Sequence, residues 1–186
     1  MSGAGSRIVL IVGLFLLGVL LYSAYWYHLA RSAPKLVHEY AEAWRSQNIE
    51  ANFSQINISG YPYRLEVSLD DIKARFTTNL NHVVLAMPNV RLTAHPWNLK
   101  HWVGVSHAPS HTMIGLGEGA LGMEVGRSRA SLVLGEQMRT ERFSLEMNDV
   151  VLQSVSSQAS GALDQLQVHL RNPPLAAQSQ DIGVLA

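Results

Sequence analysis

The chain has no cysteine among its 186 residues, which removes disulfides, thiolate nucleophiles and cysteine-held zinc together. It also has no excess of either charge. Fourteen basic and fourteen acidic side chains balance, so there is no broad positive field to gather phosphates, and nucleic acid is excluded as an expected partner. Only 15% of residues are charged. No Gly-x-Ser-x-Gly elbow is present, and Ser154, Ser156 and Ser157 stand in a polar stretch without a His and Asp pattern around them. Long apolar runs are missing too, with one exception near the start.

That exception, Ile8 to Tyr27, is 20 residues without a charge, ending in the aromatic cluster Tyr22, Tyr25, Trp26 and Tyr27. At about 1.5 Å per helical residue it reaches roughly 30 Å, the thickness of a bilayer's hydrocarbon core. A cleaved secretory signal has an apolar core of about 7 to 15 residues and a small-x-small site. Here the run is longer, and Arg31 and Pro34 flank the nearest candidate, Ala33. Residues 1–30 are therefore predicted to be an uncleaved anchor, with Ile8, Leu14 and Leu20 in the lipid and Tyr25, Trp26 and Tyr27 at its boundary. Arg7 lies before the span and Arg31 and Lys35 after it, so charge alone leaves the orientation open. A short tail ahead of a long domain favours a single-pass inner-membrane protein with its domain in the periplasm.

Ser32 and Pro34 read as the start of a second helix. Leu36, Tyr40, Ala43 and Trp44 recur at helical spacing opposite Lys35, His38, Glu39, Glu42 and Arg45, predicting an amphipathic helix within 31–48 that covers one end of the following domain or lies on the membrane surface. From Asn52 the period changes to two. Ile56 and Ile58 alternate with polar neighbours, as do Tyr63, Leu65, Val67 and Leu69, and Ser59-Gly60-Tyr61-Pro62 supplies turn chemistry between them. Further strands are predicted at 72–76, 82–87, 90–94, 113–114, 120–125, 128–134, 143–152 and 163–170. Strands in succession without long helices between them give an antiparallel sheet. The fold class is thus mainly β: a transmembrane helix and an amphipathic helix, then a curved antiparallel sheet over 49–172, built as a meander, groove or sandwich, and an irregular tail at 173–186. Each strand offers an apolar face that the chain has almost no helix to cover, so a second sheet, the sheet's own curvature or a ligand must do so.

Trp26-Tyr27 closing the anchor, Trp44 late in the next helix, the turn Gly60-Tyr61-Pro62-Tyr63-Arg64, Met87-Pro88 running into Val90-Arg91-Leu92, and His95-Pro96-Trp97 together resemble the bacterial domain-of-unknown-function 2125 family, membrane-anchored proteins found mainly in alphaproteobacteria. The resemblance spans most of residues 8 to 152. It implies an exported all-β protein distantly similar to envelope proteins that hold or pass lipids in long β grooves. It transfers no catalytic residue. Family members are commonly longer, so this chain is read as a short relative or a truncated product.

Candidate sites remain few. His107 and His111 have a ligand-like spacing, but Pro109 between them opposes a helix, and in a strand four residues span roughly 13 Å, too far for one zinc. Gly117-Glu118-Gly119-Ala120-Leu121-Gly122 spells a dinucleotide fingerprint, yet Leu121, Met123 and Val125 then alternate as a strand where the fingerprint needs a helix. Asp70-Asp71 is expected to end a strand. Trp97, Lys100 and Trp102 are the candidate ligand or membrane contact; the alternative is that both tryptophans plug one end of the sheet. No catalytic residue, metal or cofactor is assigned. The expected function is a non-enzymatic, membrane-anchored envelope protein binding lipid-like or apolar ligands, with a tethered scaffold that binds a partner protein through its sheet edge or loops as the alternative.

Overall fold

A computed structural model describes residues 3–45, 48–78, 81–116, 119–136, 139–155, 157 and 159–172. The tail from 173 onward, Gln47, Gly117, Glu118 and Ser156 lie outside the described residues, as does the side chain of Tyr40. One helix, α1 (Gly3–Arg45), precedes nine strands: β1 (Ile49–Asn52), β2 (Gln55–Ser59), β3 (Leu65–Thr77), β4 (Asn81–His95), β5 (Asn98–Ser106), β6 (Ser110–Leu116), β7 (Gly119–Leu134), β8 (Thr140–Ser154) and β9 (Ser160–Arg171).

The two predicted helices are one. α1 runs for 43 residues with Pro34 inside it. Side chains bond back to the backbone around the proline, Ser32 Oγ to the His28 carbonyl at 2.9 Å and His38 Nδ1 to the Pro34 carbonyl at 2.7 Å, and the sheet packed alongside holds the turn that proline alone would weaken. The buried stripe also differs from the predicted one. Ala33, Val37 and Ala41 face the sheet, while Leu36 and Trp44 stay exposed. Small residues let the helix axis approach β1, β2 and β3, where its packing concentrates; Leu36 or Trp44 there would hold it off.

All pairings are antiparallel within one nine-stranded sheet, ordered β1-β3-β4-β5-β7-β8-β9. β2 continues the row of β1 beside β3. β6 continues the row of β5 between β4 and β7.

Several predicted strands merge in the structure, and the places where they merge form a line. Residues of the apolar face alternate along each strand, then skip once by three positions: Phe53 to Ile56, Leu69 to Ile72, Met87 to Val90, Met147 to Val150 and Leu163 to Leu166, with Val125 to Ser128 the same step onto a small polar residue. The intervening pairs, Asp70-Asp71, Pro88-Asn89, Gly126-Arg127, Asn148-Asp149 and Asp164-Gln165, lie side by side across the sheet in register, and the break between β5 and β6 at 107–109 falls on the same line. Asp71 and Asp149 adopt φ of 50° and 56°, a left-handed conformation that Asp tolerates better than most residues. Asp70-Asp71 therefore sits within β3 rather than at its end. The Asp71 carboxylate accepts from Ser54 Oγ at 3.1 Å, Arg127 pairs with Asp149 at 3.4 Å, and Asn89 donates to Asp70.

This transverse seam keeps one face apolar through the bend. Ile72, beyond it, packs with Val67 and Leu69, before it, in a cluster that includes Ala33 of the helix. Far from the helix flank, paired Val125 and Val150 keep only 2% and 1% of their surface. The helix packs on the β1–β3 flank, so this burial lies in the sheet itself, beside the seam.

Candidate functional site

Two features of the sheet bear on function: where its apolar face is left uncovered, and how its end meets the helix.

The helix shuts the β2–β3 flank, where Leu65, Val67 and Leu69 are buried. Across the sheet the same alternation continues through Leu132 and Ala130 of β7 and Phe143, Leu145 and Met147 of β8, all only half-buried. On β9, Leu163, Val168 and Leu170 are exposed. This is one continuous apolar surface covered at one side and open at the other.

The opposite face is polar. Around His107 lies a hollow of about 420 Å³ whose lining includes Arg127, Arg129, Glu146 and Asn148. Its charges are of both signs and largely engaged, Arg127 with Asp149 at 3.4 Å and Glu146 accepting from Gln165 Nε2 at 2.8 Å. His107 is in the break, and His111 lies on β6 with its Nδ1 4.0 Å from Glu124. Among the described residues no group of three or more His, Asp or Glu is placed to hold a metal ion. Gly119 and Gly122 lie in the 16-residue strand β7, so the described part of the glycine pattern opens a strand, without the helix terminus that would hold a pyrophosphate.

At the other end of the sheet the aromatic end of the uncharged segment is bonded to two turns. Tyr22 donates to the Pro62 carbonyl, Ser23 Oγ and the Tyr61 hydroxyl are 2.8 Å apart, Tyr25 donates to the Pro96 carbonyl at 2.8 Å, and Trp26 Nε1 donates to the Arg64 carbonyl at 3.1 Å. Trp26 is buried, with Tyr61 and Tyr27 edge-on to it at centroid distances of 5.3 and 5.8 Å. Ile8, Leu14 and Leu20, further down the helix, are exposed, as is Tyr27. The helix is long and apolar enough to cross a membrane.

The three predicted contact residues separate. Trp97 is exposed in the β4–β5 turn, its ring stacked on His95 at 5.0 Å and 15°, beside the helix-bonded Pro96. Lys100 is exposed on β5. Trp102 is drawn inward, packed against the Val67 cluster and donating to the Leu99 carbonyl at 2.8 Å. Sequence reading missed Tyr61 and Tyr63 as members of this site, although their turn was noticed. The available signal is positional: every Tyr and Trp of the sheet, Tyr61, Tyr63, Trp97 and Trp102, lies toward the end that meets the helix.

A family model described as "Uncharacterized protein conserved in bacteria (DUF2125)" matches residues 26–186. No curated protein and no solved structure matches.

Proposed function

The chain belongs to the DUF2125 family of uncharacterised bacterial proteins, and from that premise we propose that it is a single-pass anchored protein of the bacterial envelope whose β-domain binds lipid-like or apolar ligands. α1 serves as the anchor in the inner membrane and the sheet stands on the periplasmic side. The carrying observation is the open flank: apolar side chains of β7 and β8 only half-buried, and Leu163, Val168 and Leu170 of β9 exposed. A face of this extent next to water is costly at roughly 25 cal/mol per Å² of apolar surface, and an acyl chain along the strands would relieve that cost without needing a polar recognition site. Such binding is not enzymatic.

Native mass spectrometry of the full chain, released from membranes in mild detergent, tests this. Retained acyl-chain mass in stoichiometric amount is the expected result. A protein that sheds everything with the detergent would count against the reading.

A second reading is favoured by the edge of the sheet. β9 pairs with β8 on one side over nearly its full 12 residues, and among the described residues no strand pairs with the other. Such an edge is a template for strand addition, so a tethered scaffold could bind a partner protein there. In-cell crosslinking from β9 that returns one stoichiometric protein and no lipid would favour the scaffold.

A further inference from the structure

We propose that the turns at 60–64 and 95–98 form a collar seated in the interfacial layer of the bilayer that α1 crosses, so that the strands stand end-on to the membrane. The inference rests on the anchoring reading but not on ligand binding.

Four hydrogen bonds from the helix, through Tyr22, Ser23, Tyr25 and Trp26, reach both turns. Those four residues occupy the last part of the uncharged segment, where a spanning helix leaves the hydrocarbon. The turns are fixed at that height by geometry, and the side chains they carry suit it. Tyr63 is 75% and Trp97 65% exposed, and Tyr61 is exposed between them and the helix. Large rings with a polar tip are stable at the boundary between headgroups and acyl chains. Trp97 is also held in place by its stack on His95, so little of its freedom remains to be lost on insertion. Arg64, Lys100 and Arg31 are exposed nearby in sequence, at positions from which a cation could meet lipid phosphates.

The distal end has a different composition. The turn between β3 and β4 carries Thr77, Thr78 and Asn81, and no Tyr or Trp occurs in the sheet beyond the seam. β3 alone is 13 residues, roughly 40 Å of extended chain. Both helix and strand run the same way: Trp26 bonds beside Leu65, while Arg45 reaches Asn52 and the Asn48 amide bonds the Arg45 carbonyl near the far end of β3. The sheet therefore extends away from the bilayer, and its open apolar face begins at the surface of the leaflet.

Because the chain has no native cysteine, single cysteines report position cleanly. Trp97→Cys, Tyr63→Cys, Thr78→Cys and Leu14→Cys variants of the full chain, each carrying an environment-sensitive fluorophore, are placed in phosphatidylcholine–phosphatidylglycerol vesicles containing headgroup nitroxide lipid. Labels at 97 and 63 are expected to be quenched several-fold more than the label at 78, with the Leu14 label shielded from aqueous quencher. Equal weak quenching at 97, 63 and 78 with Leu14 shielded would overturn the collar while leaving the anchor intact. A water-accessible Leu14 label would overturn the anchor and the collar with it. Tyr63, whose removal costs the fold little, keeps the test valid if the Trp97 variant folds poorly.

Discussion

The two flanks of the sheet carry the same alternation and end in opposite surroundings. Leu65 and Val67 on the helix side keep 3% and 2% of their surface, whereas Leu163 and Leu170 on β9 keep 44% and 59%. Period-two patterning specifies which face of a strand is apolar; it does not specify what covers that face. At one flank the cover is Ala33, Val37 and Ala41 of the chain's own helix, and at the other nothing among the described residues supplies it.

The largest difference between the flanks is expected from matched truncations. Leu65→Ala should cost about 3 kcal/mol, the transfer loss plus a cavity, seen as a lower denaturant midpoint for the full chain in detergent. Leu170→Ala should stay within about 0.5 kcal/mol, as for exposed sites generally. Equal losses would break the comparison. Next in size is the seam: Val150→Ala should cost about 2 kcal/mol although it lies far from the helix flank, and a loss as small as that at Leu170 would mean that the seam does not bury it. Then come the left-handed positions. Asp149→Val at φ 56° should cost on the order of 1 to 2 kcal/mol, while Asp149→Gly should be nearly neutral, because only the β-branched side chain clashes there. The smallest effect on stability is expected from the double change Leu163→Ser and Val168→Ser, within about 1 kcal/mol, yet it should reduce the acyl-chain mass retained in native mass spectrometry. Unchanged retention would place any bound lipid elsewhere.

Much of the fold was legible because it depends on local pattern. The uncharged segment, the change of period near Asn52 and the antiparallel succession of strands follow from residue spacing, and the turn at 60–64 follows from glycine and proline; β5 (Asn98–Ser106) is not among the predicted strands, which leave 95–112 without one. What failed depended on neighbours. Pro34 reads as a helix start in isolation, but a helix supported along its length by a sheet continues through it. Asp70-Asp71, Pro88-Asn89 and Asn148-Asp149 carry turn chemistry; the first two read as breaks between short strands, and the third went unmarked within 143–152. Only their alignment across the sheet turns them into one bend through long strands. The three-position skip in the apolar pattern was visible at each strand, but its meaning is collective. For the site, the two readings of the tryptophans divide: Trp97 stays exposed, and Trp102 packs inward beside its partner Ala94 and β3, as the plug reading had for both.

Photolabelling tests the central claim most directly, that the uncovered flank is where an apolar ligand lies. Membranes containing the full chain are irradiated with a diazirine-bearing fatty acid and the modified peptides are mapped. Labelling concentrated on β7, β8 and β9 and sparse on β2 and β3 is the expected result. Labelling confined to α1, with the open flank unmodified, would contradict it.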